Sequence, residues 1–207
     1  MTNHLTKTLA GRVFNIYNAI PMADRNRDKD WYQRAHDAMR YYGAKYHSSV
    51  DIACAVCSAL SPAMLWEENV WWTEAVLSQS DRVSGYHYAE SPMPSYRGYR
   101  HAWRKAALIA TGVLAPYNAF DPRQAPKTFN FYHNLLDPCS PDYVTIDRHA
   151  MAAIYPLRTK SDAIRGKEYQ AAANVYKDAA RTLGLVPCQL QSIIWVAQRK
   201  KGLANEQ

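Results

Sequence analysis

Residues 125–155 read APKTFNFYHNLLDPCSPDYVTIDRHAMAAIY and contain two helix starts. Pro126 suits the first position of a helix, because its missing N–H would be unpaired there and its φ is already helical. Lys127 then falls in the first turn, where the helix dipole disfavours a cation, so its presence asks for a purpose. Further on, the apolar run Tyr143, Val144, Thr145, Ile146 delivers Asp147 to the mouth of a second helix. A carboxylate there accepts backbone N–H groups that have no partner inside the helix. The stretch predicts helices at about 126–135 and 148–155, with a lysine at one start and a fixed, ionised acid at the other.

Working outward, the same helical spacing recurs. Leu9, Val13, Ile16, Tyr17 and Ile20 mark a first helix that stops near Pro21. The charged stretch Asp24 to Asp30 reads as a loop, followed by helices at about 31–46, 49–60 and 66–79, the second apolar enough to be central. Residues 81–98, rich in Tyr, Pro, Ser and Gly, read as an irregular connection, and a helix follows at about 99–112. Near the C-terminus, Tyr169, Ala172, Val175, Tyr176, Ala179 and Leu183 form one apolar face that Gly184 closes, and Pro187 precedes a last helix. The fold class is all-α, without strand alternation, internal repeat or low-complexity segment. A single helical domain over 1–207 is expected: a core at about 48–156, flanked by N-terminal helices 5–46 and C-terminal helices 160–201.

At 207 residues and 48% hydrophobic, the chain is long enough to bury a core. Its formal charge of +7 favours an anionic partner, and nucleic acid fits that description. No apolar run is long enough to span a bilayer, and the start MTNHLTKTLAGRVF lacks the apolar centre of a signal peptide, so a cytoplasmic protein without membrane attachment is expected. The four cysteines, at 54, 57, 139 and 188, suit a reducing compartment. Cys54 and Cys57 form a CxxC in an apolar helix with no second pair, which reads as buried thiols.

A helix opening with Lys-Thr, a loop, and a Val-x-x-Asp-x-His stretch opening the next helix together resemble the catalytic core of the helix-hairpin-helix (HhH-GPD, endonuclease III-like) DNA glycosylases. Two earlier segments fit the same order. DIACAVCSALSPAMLWEENVWWTEAVL, residues 51–77, is similar to that family's buried helix, DNA-facing loop and following helix. RHAWRKAALIATG, residues 100–112, is similar to the short helix before its hairpin. The chain departs from the family in two places. Phe120 to Pro126 has no glycine where the family has a glycine-rich phosphate-gripping hairpin, and no four-cysteine loop is present to hold an iron–sulfur cluster. The pattern also resembles a phage-associated branch whose members are proposed to attach amino acids or polyamines to activated thymine in DNA.

The resemblance implies a monomeric DNA N-glycosylase, a hydrolase that flips out a modified or damaged base and needs no metal or cofactor. Asp147 would stabilise the cationic sugar formed as the base departs; its plain alternative is an N-cap worth about 1 kcal/mol. Lys127 would be a Schiff-base nucleophile with lyase activity, provided a helix start and partial burial lower its amine pKa, or would hold a phosphate. Thr128 follows it and reads as structural. Trp66, Glu67 and Asn69, after the central helix, would supply an aromatic wall and polar edge for a flipped base, or form an ordinary helix connection. Trp71 and Trp72 are adjacent and point in different directions, so one belongs to the core. Arg97, Arg100 and Arg104 would share a basic face for phosphates if their helix starts early. Arg148 would meet a phosphate or an internal acid, and His149 is structural or phosphate-contacting, because no HxE or paired CxxC supports zinc. Gln191, Trp195 and Arg199 recur every four residues and would close over the site or simply pack. Two rival readings are a thymine hypermodification transferase in which Asp147 deprotonates an amine, and a catalytically silent DNA-binding module.

Overall fold

The computed structural model describes residues 2–80, 85–90, 95–156, 164 and 166–204. Among them lie eleven α-helices and no strand: α1 (Thr2–Ala19), α2 (Met22–Asp28), α3 (Trp31–Lys45), α4 (Val50–Leu60), α5 (Trp66–Leu77), α6 (Gly85–Glu90), α7 (Arg100–Ala110), α8 (Pro126–Leu136), α9 (Arg148–Ile154), α10 (Gly166–Leu183) and α11 (Pro187–Ala204). The chain is thus all-α, as its periodicity requires. The expected start of the C-terminal helices near 160 lies outside the described residues, as do 81–84 and 91–94 of the expected connection.

Two helices replace expected irregular segments. The charged run after Pro21 is α2, which starts when Arg25 N–H bonds the Pro21 carbonyl at 3.0 Å. Its charges pair along the helix: Arg27 reaches Asp24 at 2.5 Å and Asp28 at 2.7 Å. The Asp24–Arg27 pair, at helical spacing, gives a polar segment support that apolar periodicity does not reveal. The other is α6, whose residues Tyr88 and Ala89 are buried. Trp103 Nε1 donates to the Tyr88 carbonyl at 3.0 Å, so tertiary packing makes a helix of a weak local sequence.

The contacts group the chain into two compact units, one of residues 1–34 and 137–207, the other of residues 35–136. The boundary at 136/137 divides the stretch from which the fold is read. In the second unit, α4 is central, with every residue from Ala53 to Leu60 buried. Its alanines admit close neighbours, and α5, α7 and α8 pack on it. Ser49 caps it, accepting Ile52 N–H at 3.1 Å. Cys54 and Cys57 are buried in α4 as apolar residues, and burial pushes the Cys57 thiol up to about 12. Trp72 is buried while Trp71 stays 54% exposed, which resolves the adjacent pair. Trp72 meets Trp103 and Tyr96 edge-on, and a tilted ring contact joins Tyr96 to Trp103.

The first unit is built on α10, α11, α1 and α9. The face of α10 predicted from spacing is buried at Tyr169, Ala172, Val175, Tyr176 and Ala179. Gly184 ends the helix at φ +68°, a conformation that costs other residues more. Leu185 N–H then reaches the Ala180 carbonyl at 2.9 Å and Gly184 N–H the Arg181 carbonyl at 3.3 Å, which is a Schellman closure. Two tyrosines of α10 hold the segment that carries Asp147. Tyr169 hydroxyl donates to Val144 O at 2.8 Å and accepts from Ile146 N at 3.0 Å; Tyr176 hydroxyl donates to Ala150 O at 3.1 Å. Extended backbone that would otherwise bury unpaired polar groups is thereby satisfied on both sides of Thr145.

Candidate functional site

Asp147 is the N-cap of α9, with extended backbone at φ −102° and ψ −175°. Its Oδ1 accepts two backbone N–H groups, from His149 at 3.0 Å and Ala150 at 2.8 Å. Its Oδ2 accepts the Trp195 indole N–H at 2.8 Å. The acid is half-buried, and of its roughly four acceptor positions three are filled, leaving one on Oδ2 for a ligand. A carboxylate with fixed donors and one open lone pair can oppose positive charge or accept a proton without first reorganising.

The last helix supplies the surroundings of that carboxylate. Trp195 and Trp31 are both half-buried, with ring centroids 5.8 Å apart. Arg199 lies over the Trp195 ring, its guanidinium carbon 4.8 Å from the centroid. Of the expected stripe on α11, Trp195 and Arg199 meet at this site. Gln191 instead points into the interior, 4% exposed, where its Oε1 accepts the Tyr32 hydroxyl at 2.9 Å. Burial holds the Tyr32 phenol well above the usual tyrosine range, a hydrogen bond with Thr145 partly offsets this, and the charge of Asp147 adds to it. Tyr32 is therefore a protonated donor that fixes Gln191 beneath the site. Arg148 is exposed and His149 half-buried; Arg148 Nε donates to His149 Nε2 at 3.3 Å. His149 contributes a backbone N–H to Asp147, which is a structural role. The sequence reading does not reach Trp31 and Tyr32; the pair of aromatics opening α3 after a charged run is the available signal.

The remaining candidates lie in the other unit. Lys127 is in the first turn of α8 as expected but is exposed, so the partial burial required of a Schiff-base amine is absent. Thr128 beside it is half-buried. Phe120 to Pro126 forms a glycine-free turn, in which Arg123 N–H bonds Asp121 Oδ1 at 2.7 Å and Ala125 N–H bonds the Asp121 carbonyl at 2.8 Å. Those two amides are spent on internal hydrogen bonds.

In the loop after α4, Leu65 is 59% exposed, Trp66 half-buried and Glu67 exposed in the first turn of α5, where an acid suits the dipole. Asn69 is not an edge-reader on that surface. It is 2% exposed and its Nδ2 donates to the Cys57 carbonyl at 3.1 Å, tying α5 to α4. The basic face is also smaller than expected, because α7 begins at Arg100 and leaves Arg97 outside it. Arg100 and Arg104 pair with Glu90, at 3.9 Å and 2.8 Å.

The second unit also holds a group of titratable residues around Tyr132. Tyr132 hydroxyl donates to Asp51, and the Phe120 ring stands 5.4 Å from that of Tyr132. Lys105 lies over Phe120 at 5.3 Å, and burial pushes its amine below the usual lysine range. Burial also lowers the imidazole of His133, partly opposed by Asp51. Among the described residues, no group of three or more His, Cys, Asp and Glu is placed to hold a metal ion, and no helix is long and apolar enough to cross a membrane.

Neither a curated protein nor a solved structure matches the chain. A family model does match it over residues 1–202, and by that match the chain belongs to a family of unknown function, DUF7178.

Proposed function

We propose that this chain is a DNA glycosylase-like enzyme that turns a modified or damaged base out of the helix and cleaves its N-glycosidic bond. The observation that carries the reading is Asp147, a half-buried carboxylate held by two backbone amides and an indole N–H, with one acceptor position open. As the bond from C1′ to the base breaks, its electron pair leaves with the base and positive charge grows on the sugar. The Asp147 carboxylate opposes that charge; a water then adds to C1′ and passes its proton to the carboxylate. Trp31 and Trp195 offer aromatic surface beside the acid for an extruded base, at the cost of a few kcal/mol of unstacking. The exposure of Lys127 favours hydrolysis over a Schiff-base lyase and leaves that residue free to meet a phosphate. The formal charge of +7 supports a polyanionic substrate.

The test is incubation of the purified protein with DNA duplexes carrying natural, damaged and hypermodified bases, following released base and DNA mass together. Release of free base, reduced about 100-fold or more in Asp147→Asn, is the expected result. DNA that gains mass without releasing base assigns the carboxylate to a transferase that deprotonates an amine. Binding without either change, indifferent to Asp147→Asn, reduces the chain to a DNA-binding module.

A further inference from the structure

The geometry points to Arg199 as an anion receptor beside Asp147, taking a phosphodiester oxygen of the DNA strand whose base is presented to that carboxylate. The inference rests on the glycosylase-like reading for its substrate, and on the unit of residues 1–34 and 137–207 for its structure. Arg199 is half-buried and held over Trp195 at 4.8 Å. Trp195 in turn donates to Asp147 at 2.8 Å, so the guanidinium and the carboxylate both meet one indole.

The acids that Arg27 and Lys200 reach are already paired. Asp24 is shared by Arg27 at 2.5 Å and Lys200 at 3.7 Å, and Asp28 is taken by Arg27 at 2.7 Å. Among the described residues Arg199 forms no ion pair, although it sits next to Lys200, which does. A guanidinium stacked on an aromatic face keeps its in-plane N–H groups at its edge, and that planar fork matches two oxygens of a phosphate. The stacking also settles most of its rotamer freedom before a ligand arrives, which lowers the ordering cost of binding. One indole thus contacts both groups, the carboxylate through its N–H and the guanidinium through its ring face. The carboxylate faces the bond that breaks, and the guanidinium faces the backbone that stays.

The experiment is fluorescence anisotropy of a fluorescein-labelled DNA duplex with the full chain, titrated at several salt concentrations. Wild type is compared with Arg199→Gln and with Arg199→Met, which keeps an unbranched apolar side chain without the charge. Far-UV circular dichroism establishes that each variant is folded. Both variants are expected to bind roughly tenfold more weakly at low salt. The slope of log affinity against log salt should fall by about 0.9 in magnitude, the value for one duplex phosphate contact. Arg199→Lys should keep the slope while losing affinity. A folded Gln or Met variant with the wild-type slope overturns the proposal. So does quenching of wild-type tryptophan fluorescence by inorganic phosphate that Arg199→Gln abolishes while DNA binding is unchanged, since the site then serves a free phosphate. Duplex bound with an altered slope but no base release removes the glycosylase reading and leaves the receptor. A wild-type chain that binds no duplex removes both.

Discussion

Asp147→Asn is the usual way to silence a catalytic carboxylate while keeping its shape, and here it should also destabilise the fold. As an N-cap alone, Asn is equal to Asp, so the exchange should cost nearly nothing. The difference lies on the other oxygen. Oδ1 takes two backbone N–H groups and Oδ2 takes the Trp195 indole N–H, so all three partners are donors. An asparagine has one oxygen and one NH2. With the oxygen toward the backbone its NH2 faces the indole N–H; turned over, it faces the backbone amides. A hydrogen bond to a charged group contributes about 1.5–3 kcal/mol, and the half-exposure of Asp147 places the loss near the lower end, at about 1.5–2 kcal/mol. In a Trp195→Phe background the opposing donor is gone, and the same substitution should cost no more than about 0.5 kcal/mol. The coupling, about 1–2 kcal/mol, is measurable by a double-mutant cycle. Because the chain has two compact units, the unfolding followed must be that of the unit containing Asp147. Hydrogen exchange of α10 amides, read by mass spectrometry in a urea series, isolates it. Equal cost of Asp147→Asn in the wild-type and Trp195→Phe backgrounds would refute the reasoning, because the indole bond would then contribute nothing.

Two other expectations come from the same structure. Tyr169→Phe removes the hydroxyl that serves both Val144 O and Ile146 N and leaves the buried Ile146 N–H without its acceptor; a loss of about 1–3 kcal/mol on chemical denaturation is expected, and an unchanged midpoint would show that water replaces the hydroxyl. His133 is held neutral by burial, with its folded pKa below the ordinary value of about 6.5. Below that ordinary value the unfolded chain takes the proton first, so stability should fall as pH drops from about 6.5 toward the folded pKa and level off beneath it. His133→Gln should show a shallower fall than wild type in urea midpoints between about pH 7 and pH 5.5, and identical profiles would remove His133 as the source.

What the sequence discloses is what local physics decides. Pro126, the N-cap at Asp147, the face of α10 and the stop at Gly184 all rest on groups within a turn or two of one another, and each is found where spacing puts it. α2 escapes because its support comes from charge pairs, and α6 because its support comes from Trp103 on another helix. The same division runs through the candidate site. The cap of Asp147 is legible, but its bond to Trp195 spans 48 positions of sequence and the Tyr32–Gln191 bond spans 159. Asn69 misleads for a related reason. It has a surface residue's chemistry, and only the burial of Cys57 across from it turns that amide inward.

The burial of three of the four cysteines has a practical reach beyond packing. Thiol reagents attack the thiolate, and Cys57 and Cys188 are each pushed up to about 12 by burial while Cys54 is raised further by the same cause. Cys139 is the exposed one. The native chain therefore offers a maleimide one address, in the turn just before the segment that leads to Asp147, with no residue needing replacement. The other three thiols become a clock on opening, two of them, Cys54 and Cys57, in the unit of residues 35–136 and one, Cys188, in the unit of residues 1–34 and 137–207. Mass increments beyond the first label would therefore tell, molecule by molecule, which unit had come apart.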